Sequence, residues 1–202
     1  MKAKVMANIQ LDKLVIASGN KKKRAEIEAI LSNLGIEVVP AEQTVFVNVI
    51  EDADSFAGNA KKKADAFKAA NGCAALADDS GLCVTALNDA PGVYSARFAG
   101  EHASDDENNT KLLHDLQGIQ DRSAYFICAL HLALPDDSEI TAEGRVEGLI
   151  VEAQTGDTGF GYDPLFFCPE LDKTFAQSTP QEKAAISHRG RALRALHNQL
   201  LD

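Results

Sequence analysis

Residues 13–35 read K-L-V-I-A-S-G-N-K-K-K-R-A-E-I-E-A-I-L-S-N-L-G, and a change of period inside this stretch sets the architecture. The apolar run at 14–17 is short and ends at Gly19-Asn20. Beyond it apolar residues recur at Ile27, Ile30, Leu31 and Leu34, the spacing of one helix face. A strand, a turn and a helix are expected in that order, with Gly35 as the C-terminal stop. Working outward, residues 36–39 and the β-branched stretch 43–51 (Q-T-V-F-V-N-V-I-E) suggest second and third strands. A helix follows from Ser55 to the Asn71-Gly72 stop, then a buried strand over 74–78 that closes at Asp78-Asp79-Ser80-Gly81. Ser104-Asp105-Asp106-Glu107 has the form of a capping box ahead of Leu112, Leu113 and Leu116. Residues 123–134 and 139–150 flank Pro135-Asp136-Asp137 and are expected to form a hairpin. Thr179-Pro180-Gln181-Glu182 opens another helix, and the chain closes on a helix carrying Leu193, Leu196 and Leu200. Helices interleaved with strands and one hairpin give an α/β class with a mixed sheet. Neither a repeat nor a linker divides the chain, so 13–202 is expected to be a single domain and 1–12 an N-terminal extension.

The 202 residues are 45% apolar and 25% charged, the composition of a packed globular protein. Thirty Asp and Glu against twenty Lys and Arg leave a formal charge of −10, which works against binding nucleic acid or an anionic membrane through phosphate contacts. The most apolar run, residues 125–134, is half the ~20 residues needed to span a bilayer. Residues 1–13 lack the apolar region and cleavage site of an export signal. Cys73, Cys83, Cys128 and Cys168 show no C-x-x-C spacing and are expected to be reduced thiols in a cytoplasmic protein.

Two lysine triplets stand out in so acidic a chain. In Lys21-Lys22-Lys23, only Lys23 is four residues before Ile27 and shares its helix face. At a helix start just after a Gly-Asn turn, it is placed either to meet a phosphate or to snorkel beside an Asn20 N-cap. In Lys61-Lys62-Lys63, only Lys63 shares the face of Phe56, Asn59 and Phe67. Two inward lysines favour an anionic ligand between helices. The acids Glu51-Asp52 and Asp78-Asp79 close predicted strands, where α/β sheets place ligand chemistry. Hard oxygen ligands without a His or Cys cluster suit Mg²⁺, although D-D-S-G also reads as an ordinary turn. Adjacent Asp78 and Asp79 would repel unless a cation sits nearby or they face opposite sides. In Gly159-Phe160-Gly161-Tyr162-Asp163-Pro164, the aromatics offer either a stacking face for a base, with Asp163 accepting from ring N–H groups, or a hydrophobic plug in a turn. Ser187-His188-Arg189-Gly190 offers donors, or simply a polar helix surface. His102, His114, His131 and His197 lack metal-ligand spacing and receive no role.

Six stretches, in order, resemble the inosine/xanthosine triphosphate pyrophosphatase family: residues 18–23 (S-G-N-K-K-K), Phe56 with Asn59-Ala60 and Lys63, residues 76–82 (L-A-D-D-S-G-L), 90–97 (A-P-G-V-Y-S-A-R), 159–164 (G-F-G-Y-D-P), and Lys183 with 186–190 (I-S-H-R-G). The resemblance implies hydrolysis of non-standard purine triphosphates (ITP, dITP, XTP) to monophosphate and pyrophosphate. It implies Asp79 as proton acceptor and metal ligand, with Glu51 and Asp78 as the other carboxylates around Mg²⁺. Ser18, Gly19, Asn20, Lys21, Lys22, Lys23, Lys63, Ser80 and Lys183 would hold the triphosphate. Phe160, Gly161, Tyr162, Asp163, His188 and Arg189 would hold the base and read its 6-oxo group. The implied fold is a long mixed β-sheet flanked by helices, in two lobes with a central cleft, in a homodimer. Three positions depart from the family pattern: Gln177 and Gly58 stand where Glu is usual, and Ala53 where Gly is usual. An amide at 177 cannot act as an anionic ligand or base, which keeps open a purine-nucleotide sensor without turnover. A related pyrophosphatase for modified pyrimidine nucleotides is the other alternative.

Overall fold

The computed structural model describes Leu11 and residues 13–201; the expected extension at 1–12 lies, Leu11 apart, outside the described residues. The chain runs β1 (Leu14–Ile16), α1 (Lys21–Asn33), α2 (Phe56–Asn71), β2 (Ala74–Val84), β3 (Ala90–Pro91) and α3 (Asp105–Asp115). It continues through β4 (Ser123–Ala133), β5 (Glu139–Ile150), β6 (Phe166–Cys168), β7 (Lys173–Thr174), α4 (Pro180–Ile186) and α5 (His188–Leu201). Seven strands form one sheet in the order β1-β2-β4-β5-β6-β7, with β3 paired to β2. Only β1 and β2 pair in parallel; the other pairings are antiparallel, so the sheet is mixed as expected.

Local chemistry explains the helix ends. Asn20 caps α1 by accepting the N–H groups of Lys22 and Lys23. Ser55 caps α2, which stops at Gly72 in the left-handed conformation (φ 64°). The capping boxes at Ser104/Glu107 and Thr179/Glu182 are both formed.

Strand alternation then sorts the core into two lobes. On one face of the sheet, Leu14, Ile16, Leu76 and Leu130 pack under α1 and α5 through Ile27, Leu31, Leu193 and Leu196. On the other, Val15, Ala75 and Ala77 meet Ala64 and Phe67 of α2. A second body of core, with Leu82, Val84, Phe126, Val146, Phe166 and Phe175, gathers with Leu112 and Leu116 of α3 toward the far end.

Three expectations need correction. Residues 36–39 do not form a strand: Val39 donates one hydrogen bond to the Leu14 carbonyl (2.8 Å), and no ladder follows among the described residues. Residues 43–51 are irregular after a short 3₁₀ turn. Val47 and Val49 pack inward while Val45, Phe46 and Ile50 are exposed, so the two-residue alternation exists but no strand lies alongside among the described residues. Asp78-Asp79-Ser80-Gly81 is neither a strand end nor a turn: β2 runs through it, with Asp78 opposite Leu130 and Asp79 opposite Ala129 of β4. Pairing outweighs local turn preference here. The short β3, β6 and β7 were not anticipated. Among the described residues, no helix is long and apolar enough to cross a membrane.

Candidate active site

The site follows from the unequal lengths of β1 and β2. Pairing with β1 ends where the Ala17 N–H meets the Leu76 carbonyl (2.8 Å), and β3 joins β2 only at Cys83. Between them, residues 78–81 keep β4 on one edge and leave the other open to a cleft beyond the carboxyl end of β1.

Alternation along β2 sends Asp78 and Asp79 to opposite faces. Asp79 meets α2: Asn59 Nδ2 donates to its Oδ2 (3.1 Å) and Lys63 Nζ lies 3.4 Å from its Oδ1. The same Lys63 ammonium is 2.6 Å from Glu51 Oε2, so acids from two distant segments share one cation. Arg97 holds this segment through the Glu51 carbonyl (3.3 Å). Asp78 faces α1 and α5: Arg189 Nη2 donates to it at 3.0 Å, Ser80 Oγ at 3.2 Å, and Lys23 Nζ stands 3.6 Å away. Each triplet thus turns one lysine inward, as its helical position requires. Lys61 and Lys62 pair outside with Glu139 and Asp52.

At the other end of the cleft, Lys183 is buried between Asp163 (2.6 Å) and Glu26 (2.8 Å), with Phe160's ring 4.7 Å from its ammonium. Glu26 also accepts from Arg189, joining α1 to α4 and α5. The cleft lining includes Asn20, Lys23, Ser80, Phe160, His188 and Arg189. His188 stacks on Phe126, ring centroids 4.8 Å apart. Gly190 makes this corner possible: a Cβ there would sit 1.9 Å from the Ala184 carbonyl oxygen, so α4 can turn into α5 only against a bare Cα.

The remaining expected residues fall in different places. Ser18, Gly19 and Asn20 form the turn into α1. Because Asn20 Oδ1 already takes two N–H groups, the helix start offers a phosphate fewer free donors than bare geometry suggests. Lys22 sits at the rim, 3.7 Å from Asp105 and 5.8 Å from the Phe160 ring. Lys21 is exposed and lines a separate hollow between α1 and residues 36–42, which gathers no comparable set of buried ion pairs. Tyr162 is buried, its hydroxyl bound to the Ser95 carbonyl (2.9 Å), which is the plug reading of that loop. Asp163 Oδ2 accepts the Phe160 N–H (2.9 Å) and Lys183, while the Gly161 N–H goes to Asp105 (2.8 Å).

Burial and pairing fix the charge states. Burial alone would raise Asp78, but Lys23, Arg189 and Lys63 overcome it and hold it far below the ordinary carboxylate range. Burial raises Asp79 above its usual value, against the pull of Lys63 and Lys23. Burial would lower Lys63; Asp79, Asp78 and Glu51 outweigh that and raise it. Burial, helped by Arg189 and Lys183, drives His188 well below the usual histidine value and keeps it neutral.

Among the described residues, no three His, Cys, Asp or Glu side chains gather as a metal cluster. Glu51 and Asp79, sharing one cation, are nonetheless the donor pair a hard divalent ion takes when substrate phosphates complete its shell. Asp78 is committed to Arg189 on the other face. Gln177 caps a 3₁₀ turn, its amide oxygen accepting the Thr174 N–H (3.0 Å). The other two departures touch: a Cβ on Gly58 would lie 2.8 Å from that of Ala53. Glu26 receives no role from the sequence, and Asn59 appears there only as a member of the Lys63 helix face and of the family stretch, without a role of its own. Their only signal is spacing, three residues after Lys23 and four before Lys63 on the same helix faces.

Known proteins share this architecture. A dITP/XTP pyrophosphatase of Clostridium perfringens is 45% identical over 199 residues, covering 94% of this chain and 98% of that protein. One of Desulforamulus reducens is 51% identical over 185 residues, covering 90% and 92%. The solved Ham1 protein of Staphylococcus aureus superposes with a TM-score of 0.83 at 40% identity, and that of Coxiella burnetii with 0.84 at 41%; each comparison covers 94% of this chain and 98% of the other. Residues 14–199 match the sequence profile of the Ham1 family. With that match and these relatives, the chain belongs to the Ham1 family.

Proposed function

We propose that this protein is a pyrophosphohydrolase of non-standard purine nucleoside triphosphates, ITP, dITP and XTP, which it cleaves to monophosphate and pyrophosphate, clearing them from the nucleotide pool. The observation that carries the reading is the bridging of Glu51 and Asp79 by Lys63, on the opposite face of β2 from Lys23 and Asp78. The names of the relatives, dITP/XTP pyrophosphatases at 45% and 51% identity, support the substrate class.

In this mechanism Glu51 and Asp79 would hold Mg²⁺, which would supply positive charge to the phosphoryl oxygens. That charge is needed, because Lys23, Lys63, Lys183 and Arg189 already face Glu26, Glu51, Asp78, Asp79 and Asp163. Asp79 orients a water and accepts its proton as the oxygen attacks the α-phosphorus, and pyrophosphate leaves. Ser18, Gly19, Asn20, Lys22, Lys23 and Lys63 position the phosphates, Lys21 lying outside the cleft; electrostatic positioning is the main contribution of the protein. Phe160, His188 and Arg189 belong to the base end, and Lys183, expected with the phosphates, stands beside Phe160. A 6-oxo purine accepts a hydrogen bond there that a 6-amino purine cannot, and an unpaired buried donor costs ~1–3 kcal/mol. Gln177 serves as a cap, so it gives no separate support to a sensor without turnover.

Steady-state pyrophosphate release from a nucleotide panel tests the proposal. The expected kcat/KM for ITP, dITP and XTP exceeds that for ATP by about tenfold to a hundredfold per lost contact. Equal rates for ITP and ATP would overturn it. The proposal includes a cytoplasmic homodimer; the described cysteines, all unbonded, suit that compartment, and light scattering tests the dimer.

A further inference from the structure

Asn59 sits 2% exposed on the inner face of α2, and the two ends of its amide do different work. Oδ1 accepts the backbone N–H of Ala53 at 2.9 Å, two residues beyond Glu51; Nδ2 donates to Asp79 Oδ2 at 3.1 Å. The amide serves both at once, because Ala53 offers a donor and Asp79 an acceptor. Among the described residues, the segment carrying Glu51 has no sheet partner to fix it. It is tied at its start by Asn71, which takes the Val45 N–H (2.7 Å) and donates to the Val45 carbonyl (3.0 Å), at the Glu51 carbonyl by Arg97, and just beyond it by Asn59. Asn59 is therefore a direct link between the Glu51 segment and β2. With Nδ2 on one oxygen of Asp79, the other turns to Lys63.

Resting on the reading above of Glu51 and Asp79, we infer that Asn59 is a positioning residue for the reaction: it fixes the rotation of the Asp79 carboxylate and its separation from Glu51 without touching substrate. Misplacing reacting groups by about 1 Å can cost 10²-fold in rate, whereas substrate grip from the lysines and the base end is untouched. The signature is a loss in kcat with KM preserved.

The experiment measures kcat and KM for dITP, together with the melting temperature, in Asn59→Ala, Asn59→Asp and Ala53→Pro. Asn59→Asp keeps an acceptor for Ala53 but loses the donor to Asp79; Ala53→Pro deletes the backbone donor from an irregular segment and leaves the core side chains alone. The expected result is a fall in kcat of about tenfold or more in both Asn59 variants, with KM within about threefold and a smaller fall in Ala53→Pro. Wild-type kcat in either folded Asn59 variant overturns the inference. Should neither Asn59 variant fold, unchanged kcat in Ala53→Pro overturns it. Asp79→Asn serves as the control: full turnover there sinks the reading of the site itself, whereas an inactive Asp79→Asn beside fully active Asn59 variants sinks only the role of Asn59.

Discussion

His188 is enclosed by Phe126, Arg189 and Lys183, and this surrounding makes stability depend on pH in a defined direction. Its folded value lies well below 6.5, so under mildly acid conditions the unfolded chain binds a proton there that the native protein does not. Stability is therefore present above the unfolded value and is lost as pH falls below it, by about 1.4 kcal/mol per pH unit until the folded value is reached. His188→Phe keeps an aromatic ring against Phe126 and removes the titration. Urea unfolding from pH 7 to pH 5 is expected to show a shallower fall in stability in the variant than in the wild type. Parallel slopes would mean that His188 titrates normally.

Among the elements, the corner between α4 and α5 is the most demanding. It delivers Lys183, His188 and Arg189 to the cleft, and it closes only because Gly190 carries no side chain. Gly190→Ala is expected to lose about 1–3 kcal/mol through forced displacement of α4 from α5, measurable by chemical denaturation. A wild-type midpoint and slope would show that the helices part without strain. This corner also shows what the sequence made legible. Thr179 and Glu182 announce α4 and the leucine period announces α5, because caps and helix faces are written locally. Lys23 and Lys63 were legible as inward residues for the same reason. A strand at 43–51 and a turn at 78–81 are not what forms, because a strand exists only beside a partner: among the described residues the first stretch lacks one, and the second has β4. The roles of Glu26 and Asn59 were not legible because their partners, Arg189 and Asp79, lie 163 and 20 residues away.

At the scale of the whole molecule, the cleft lies between two bodies of core, and buried ion pairs between α1, β2, α4 and α5 cross it. A chain of net charge −10 whose inward cations are already paired has little spare positive charge for a triphosphate. Chelating divalent cations is expected to reduce turnover to background, with recovery on adding Mg²⁺. Undiminished hydrolysis in excess chelator would contradict that expectation. Beyond the metal, the account turns on where water attacks. Hydrolysis of dITP in ¹⁸O-labelled water, with the products separated and weighed by mass spectrometry, reads this directly. The account predicts one labelled oxygen in the monophosphate and none in the pyrophosphate; label in pyrophosphate, or release of a diphosphate and inorganic phosphate, would contradict it.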